Sequence, residues 1–473
     1  MKRALNGATP KKNKRRRSAV LEACHIDIKY FEESFKNSFR QGLKENSPFP
    51  HWQLRNFLDN SDNFVEKLED ELQNFEEWKR KENDLYSLYQ TDDLKSISPL
   101  KHPTIFAFRQ FLYNEVRSWL QNVSGVELID QVDCNGSCYS ETDSLLPHND
   151  LIETRRFAFV YYLTSSKWNS KTNGGNLQLF NSDKHLIPTT VAQELVPIRN
   201  SLNLFEVSEK SWHRVAEIIS DDPRLSINGW FHSKRRIEPR KPKAEKIPRF
   251  LPDKKAKLSN YINAEYLKSE RQNEVQQLFA DNSELNLADF LANDLHNEVY
   301  KELSKNSKSF KSIGPVSKRN LFRIEENDIN GLEKTKKLYD MLRSRNVVSF
   351  LEKVSGVTLS GAESSIRVSR IQHGSYWVIG DEDAEQSTHD GYCLDFHIFV
   401  QKNKWVNSAG GDLIYIAEGE QEELLRIEPN PNCGSLVFRE PGVFPFLKFA
   451  NSRSTDPFYL FSVSFYNVQV VDD

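Results

Sequence analysis

The chain has 473 residues, too many for one ordinary domain, and its 38% hydrophobic, 28% charged composition suits two packed globular domains plus tails. No stretch approaches the apolar run of a membrane-spanning helix, and the Met-Lys-Arg start has no apolar segment behind it, so neither membrane insertion nor a secretory leader is expected. The net charge of -3 conceals cations gathered at residues 11–17 and near residue 240, which leaves the folded parts acidic and lends no support to a broad nucleic-acid groove.

Residues 1–18 are polar, basic and aperiodic, and read as a disordered tail. The run Lys11-Lys12-Asn13-Lys14-Arg15-Arg16-Arg17 within it is either a nuclear import signal or a solvated stretch of charge. From about residue 20 to 130 helical patterns dominate. One helix is expected over 63–82. Another follows Pro103 through Phe106, Phe108, Phe111, Leu112, Val116 and Leu120, whose spacing assigns these side chains to a core. Between about 129 and 232 the pattern turns to short strands, clearest at 157–163, 176–180, 201–207 and 225–231. Residues 233–258 are rich in Pro and Lys and read as an interdomain linker. Helical patterns return over 259–305 and 333–355, and strands from 364 to 470. The five cysteines are odd in number and lack zinc-type spacing, so free buried thiols are expected.

Helices followed by strands thus occur twice, and the repetition extends to residues. The segment 118–128 (Ser-Trp-Leu-Gln-Asn-Val-Ser-Gly-Val-Glu-Leu) matches 349–359 (Ser-Phe-Leu-Glu-Lys-Val-Ser-Gly-Val-Thr-Leu) at a constant offset of 231. Further on, 167–177 resembles 404–413, and 201–205 resembles 434–438, which sets Phe205 on Phe438. The expected fold is therefore α+β, with two tandem copies of a helix-plus-barrel unit: 19–232 and 259–473.

A non-haem iron centre needs two imidazoles and one carboxylate on one face of the metal, leaving positions for a bidentate keto acid and for oxygen. His-x-acid triplets are weak evidence, since eleven His and 67 acids give about 1.6 by chance. Three occur, beginning at His25, His148 and His296. Only His148-Asn149-Asp150 lies among strands with a suitable partner downstream. His213 sits in the strand-like alternation Trp212-His213-Arg214-Val215, and Arg224 follows eleven residues later. By itself His213 would read as a core histidine, and Arg224 as a surface residue at a strand edge. Arginine is also the residue that grips a distal carboxylate with two parallel donors.

At this point the residues resemble a family. The pattern Tyr-x8-His-x-Asp followed by His-x10-Arg or Lys is that of the prolyl hydroxylase branch of the 2-oxoglutarate oxygenases, and Tyr139, His148, Asp150, His213 and Arg224 fit it. Asn83-Asp84-Leu85-Tyr86 with Asp92-Asp93-Leu94, the segment 151–162 and the second barrel look like the eukaryotic family typified by 2-oxoglutarate and iron-dependent oxygenase domain-containing protein one. The resemblance covers nearly all the chain after the tail. It implies a double-stranded β-helix, or jelly roll, in each copy. It implies Fe(II) on His148, Asp150 and His213, with 2-oxoglutarate contacted by Tyr139, Tyr162 and Arg224 and ascorbate as a supporting reductant. It further implies 3-hydroxylation of a prolyl residue in a small-subunit ribosomal protein, affecting translation. The basic run at 11–17, taken as an import signal, gives the nucleus as the expected location, with the cytoplasm as a second compartment. One departure is Thr142, where the broader pattern commonly has glycine three residues after the tyrosine. Residues 86–94 are either a lid or edge for a peptide groove, or an ordinary loop.

The second copy lacks these residues. Tyr139 falls on Ile371, His148 on Gly380, Asp150 on Glu382, His213 on Phe446 and Arg224 on Tyr459, so the second barrel is expected to be non-catalytic. His389-Asp390 reads as a loop pair. Two other functions compete. A nucleic-acid demethylase of the same superfamily generally has a second arginine about six residues after the distal histidine, where this chain has Ile219. A protein that senses oxygen or 2-oxoglutarate and regulates a partner by contact would use the second barrel as its docking surface.

Overall fold

The computed structural model describes residues 24–60, 62–238, 247–420 and 422–469. The 1–18 tail with its basic run lies outside them, as does the middle of the 233–258 segment. The chain divides into two units, Met1–Arg240 and Lys241–Asp473. Arg249, Phe250 and Lys254 already belong to the second unit: Arg249 pairs with Asp390, and Phe250 and Lys254 form bridges with Ser364 and Ser344.

In the first unit, Pro103 opens the helix Pro103–Phe111 at a position where no N–H is needed. A π turn over Leu112–Val116 carries the helix into Arg117–Ser124. Ile105, Phe108, Phe111, Leu112, Trp119 and Leu120 are buried in the larger of this unit's cores, as their spacing requires. The stop is chemically specific. Gly125 takes φ 74, Ser124 Oγ donates to Leu120 O and accepts from Val126 N, and Gln121 Oε1 accepts from Leu128 N. Every part recurs at Gly356 (φ 74), Ser355 and Glu352. The strongest sequence repeat is therefore a helix terminator, kept for its backbone geometry.

The helix expected over 63–82 is corrected. It spans Phe64–Gln73 only, and Lys79–Glu82 is a strand paired with Tyr86–Gln90. Asn74 closes the helix through Nδ2 to Asp70 O, and Asn83 Oδ1 accepts from the N–H of Leu85 and of Tyr86, turning the chain into a hairpin. Residues 86–90 are accordingly neither loop nor loose lid. They form a strand between Val132–Tyr139 and Ser144–His148.

Each unit has one curled antiparallel eleven-stranded sheet among its described residues, and together they make the fold α+β with two tandem double-stranded β-helix domains. The two sheets correspond strand for strand. In the first, Ser201–Glu206, Arg155–Tyr162, Arg224–His232, Val132–Tyr139 and Tyr86–Gln90 are neighbours in that order; in the second, Cys433–Arg439, Cys393–Val400, Phe458–Tyr466, Ser364–Ile371 and Arg319–Arg323 are.

Register gives the true counterparts. His213 pairs with Leu179 as Pro445 pairs with Tyr415, and Arg224 pairs with Tyr139 as Phe458 pairs with Ile371. Leu204 faces Phe159 as Leu436 faces Phe396, which sets Phe205 on Val437. A second marker agrees. The Trp168 and Trp405 indoles donate to Gly174 O and Gly410 O, and a Cβ added at the next glycine would stand 3.0 Å from Arg224 Cδ in one unit and 3.5 Å from Phe458 Cε1 in the other. The sequence alignment is thus off by one at three positions: His213 lies over Pro445, not Phe446; Arg224 over Phe458, not Tyr459; Phe205 over Val437, not Phe438. Matching similar side chains misled it, because a one-residue slip puts a strand's side chains on the opposite face.

His389-Asp390 is also corrected. The pair ends the helix Asp381–Asp390, with His389 exposed and Asp390 buried against Arg249.

Candidate active site

His148 closes the strand Ser144–His148, and His213 opens the strand His213–Val215 directly opposite it. The imidazole rings lie 4.2 Å apart between centroids. Each Nδ1 is tied to a backbone carbonyl two residues back, His148 to Leu146 O at 2.9 Å and His213 to Ser211 O at 2.7 Å. With Nδ1–H donating there, Nε2 carries the lone pair, the arrangement that metal-binding histidines use to fix tautomer and direction. Asp150 stands just past the strand at φ 58, a left-handed conformation that Asp tolerates better than most residues. Its Oδ1 lies 3.5 Å from His148 Nε2 and its Oδ2 3.5 Å from His213 Nε2. Among the described residues these three are the one group of His, Cys, Asp or Glu that could hold a metal ion, with ligand atoms within 4.8 Å of one another. The donor set suits Fe(II). His25 instead pairs with Glu115 and His296 lies on the helix Asn293–Lys305, so the two other triplets join no such group.

Burial pushes the Asp150 carboxyl upward, but His148, His213 and Arg155 outweigh it and hold the group well below the usual range. Burial likewise lowers His148, yet the hydrogen bond and charge of Asp150 raise it overall. His213 is pushed down to about 4 by burial, with His148 acting in the same direction. An ionised carboxylate beside one reluctantly protonated imidazole is a site primed for a cation.

Arg224 is 1% exposed, the largest fully buried side chain among the described residues. Its Nε donates to Gly175 O and its Nη2 to Tyr162 OH, both at 2.9 Å. The Tyr139 and Tyr162 rings flank the guanidinium at 5.1 and 4.9 Å. Among the described residues it has no carboxylate in salt-bridge range, so this buried cation calls for an anion. In the second unit the counterparts of Tyr139, Tyr162 and Arg224 are Ile371, Phe399 and Phe458, all buried in one apolar cluster. The fold does not need the arginine.

Two site residues escaped the sequence reading. Arg155 stacks on Trp230 at 3.5 Å and reaches within 3.8 Å of Asp150 Oδ1. Asn203, fully buried, donates to Tyr162 OH at 3.3 Å while its Oδ1 has no partner. The available signal was a lone amide between leucines in the strand Ser201–Glu206, buried at every position but Glu206.

Thr142 occupies the position where glycine is common, and it adopts φ 72. A β-branched residue there is strained by roughly 1–3 kcal/mol. Thr142→Gly should raise the stability of the first unit by about 1 kcal/mol, read from chemical denaturation; an unchanged or lower midpoint would show that the turn carries no strain.

The segment 134–232 matches the model described as 2OG-Fe(II) oxygenase superfamily, and 253–473 matches the one described as oxoglutarate and iron-dependent oxygenase degradation C-term. The chain is 34% identical to the Xenopus laevis prolyl 3-hydroxylase OGFOD1 over 95% of this chain and 94% of that one. The chain belongs to the prolyl 3-hydroxylase OGFOD1 family. The Mus musculus member is 32% identical, covering 86% of each chain. An Ostreococcus tauri relative named prolyl 3,4-dihydroxylase OGFOD1 is 25% identical over 91% of this chain and 97% of its own. Among solved structures, a Pseudomonas putida prolyl-4-hydroxylase aligns with 42% of this chain and 99% of its own at 19% identity, TM-score 0.33. Family membership makes the protein a 2-oxoglutarate-dependent dioxygenase that works with Fe(II). None of its helices among the described residues is long and apolar enough to cross a membrane.

Proposed function

We propose that the first barrel binds Fe(II) through His148, Asp150 and His213 and anchors 2-oxoglutarate through Arg224, Tyr162 and Tyr139, to hydroxylate a prolyl residue of a protein at C3. The observation that carries this is the pairing of the one metal-ligand cluster among the described residues with a buried arginine that has no carboxylate of those residues in salt-bridge range, in a family whose curated members are named prolyl 3-hydroxylases. When bound, the iron and co-substrate supply oxidative chemistry that consumes oxygen and 2-oxoglutarate and releases succinate and CO2. The protein's own contribution is to orient and to exclude water. Leu146 O and Ser211 O aim the imidazoles, Tyr162 positions the guanidinium, and Phe205 packs against His213 at 4.5 Å.

The substrate is read as a small-subunit ribosomal protein and the outcome as an effect on translation, following the family resemblance. Ascorbate keeps the iron reduced in this reading. The run at 11–17, six of whose seven residues are Lys or Arg, directs the chain to the nucleus.

The test is mass spectrometry of prolyl peptides from small-subunit ribosomal proteins, incubated with Fe(II), 2-oxoglutarate and either native protein or His148→Ala. One added oxygen atom per peptide on proline C3, with matching succinate, is expected from native protein alone. Two added oxygens would favour the dihydroxylation named for the Ostreococcus tauri relative. No added oxygen with any prolyl peptide would sink the reading.

A further inference from the structure

The strand Ser201–Glu206 alternates between two environments. Leu202 and Leu204 join the larger core of the first unit, while Phe205 belongs to a second apolar cluster and packs against His213 inside the barrel. Asn203 shares the face of Phe205 and is fully buried there. Its Nδ2 lies 3.3 Å from Tyr162 OH, the hydroxyl that also accepts from Arg224 Nη2, and its Oδ1 has no hydrogen-bond partner. An amide oxygen left unanswered in a barrel interior is costly, so this end of the side chain, beside the Tyr162–Arg224 pair, calls for a partner.

The fold does not require an amide at this place. By register Asn203 stands over Ser435 of the second barrel and Tyr162 over Phe399. Ser435 donates to Asn286 on the neighbouring strand Glu284–Leu287. Amide, phenol hydroxyl and guanidinium are thus missing together from the barrel that lacks the co-substrate residues. In the first barrel, burial holds the Tyr162 phenol above its usual range, against the pull of Arg224 and Asn203, so it stays an O–H donor near neutral pH. A phenol hydroxyl has one proton and two lone pairs, and Arg224 takes one lone pair. The proton still has to be placed. The two ends of an amide have the same shape. Turned over, the Asn203 amide accepts the Tyr162 proton at its oxygen and carries a free N–H donor where the unanswered acceptor stood.

We propose, on the reading that Arg224 anchors 2-oxoglutarate, that Asn203 is a further co-substrate-binding residue: its oxygen is fixed by the Tyr162 O–H and its amino group donates to the distal carboxylate. A carboxylate has about four lone-pair sites, of which a two-pronged arginine fills two. The amide N–H fills another without adding charge. An amide left unturned would set its bare oxygen beside the anion, so loading of the site and turning of the amide favour each other.

The test is calorimetric titration of the Fe(II)-loaded full-length protein, under nitrogen, with 2-oxoglutarate and with 2-oxopentanoate, which has a methyl group in place of the distal carboxylate. Native protein should bind 2-oxoglutarate the more tightly. The variants are Asn203→Leu, close in size, and Asn203→Ser, which installs the residue that the second barrel carries at that place. In both, 2-oxoglutarate should bind about tenfold or more weakly while 2-oxopentanoate stays within about threefold of native, because a hydrogen bond to a charged group is lost from the diacid alone. Equal losses for the two keto acids, or 2-oxoglutarate affinity unchanged in both variants, would give Asn203 a packing role and overturn the proposal. No preference for 2-oxoglutarate in the native protein would instead overturn the anchoring by Arg224, and the role of Asn203 with it.

Discussion

Asp150→Asn is expected to leave a folded protein that no longer retains Fe(II), with succinate formation reduced by at least about a hundredfold. The floor follows from a comparison: residues that only orient metal ligands already cost roughly 10–100-fold in affinity or activity when changed. Asp150 does more than orient, because its two oxygens face both imidazoles at 3.5 Å and it is the cluster's only negative charge. Asparagine keeps the size of the side chain and tolerates the left-handed backbone at φ 58, so the loss reads as lost charge and not as a broken turn. Arg155, 3.8 Å from Asp150, would then repel the incoming cation with Asp150 no longer offsetting it. The measurement is iron content by mass spectrometry after dialysis, alongside succinate release. Near-stoichiometric iron in the variant would remove Asp150 from the ligand set.

Arg224→Met should raise the 2-oxoglutarate requirement by roughly thirtyfold or more, since removing one partner of a buried, hydrogen-bonded charge pair costs about 2–5 kcal/mol. Iron binding should be nearly unaffected, which separates the two halves of the site. Folding should survive as well, because Phe458 fills the same place in the second barrel, packed edge-on against Trp405 with 4.9 Å between ring centroids. Partial compensation by the remaining hydroxyls of Tyr139 and Tyr162 sets the lower bound. A Michaelis constant for 2-oxoglutarate within a factor of two of native would mean that the co-substrate's distal carboxylate lies elsewhere.

Much of the site was legible in the sequence because its parts are close in the chain or set at fixed intervals. His148 and Asp150 flank one residue, and Arg224 follows His213 by eleven. The decoy triplets at His25 and His296 could be set aside because neither has a matching distal residue among strands. Arg155 and Asn203 were missed for the opposite reason: their roles come from Trp230, Asp150 and Tyr162, partners that no local pattern announces.

The amino-acid sequence alone determined that two copies of one unit follow each other, that the first carries two imidazoles, a carboxylate and an arginine in the required spacing, and that the second does not. These are properties of composition and interval, which survive without coordinates. Only the tertiary structure decided that residues 79–90 form a hairpin inside the sheet, and that Pro445 and Phe458 are the counterparts of His213 and Arg224. It alone brought Asn203, Tyr162 and Arg224 together from three strands of the first barrel. The physical reason is common to all three. Strand neighbours in an antiparallel sheet lie far apart in sequence, and a shift of one residue exchanges the inner face for the outer, so register is fixed by packing across the sheet and not by any segment read singly.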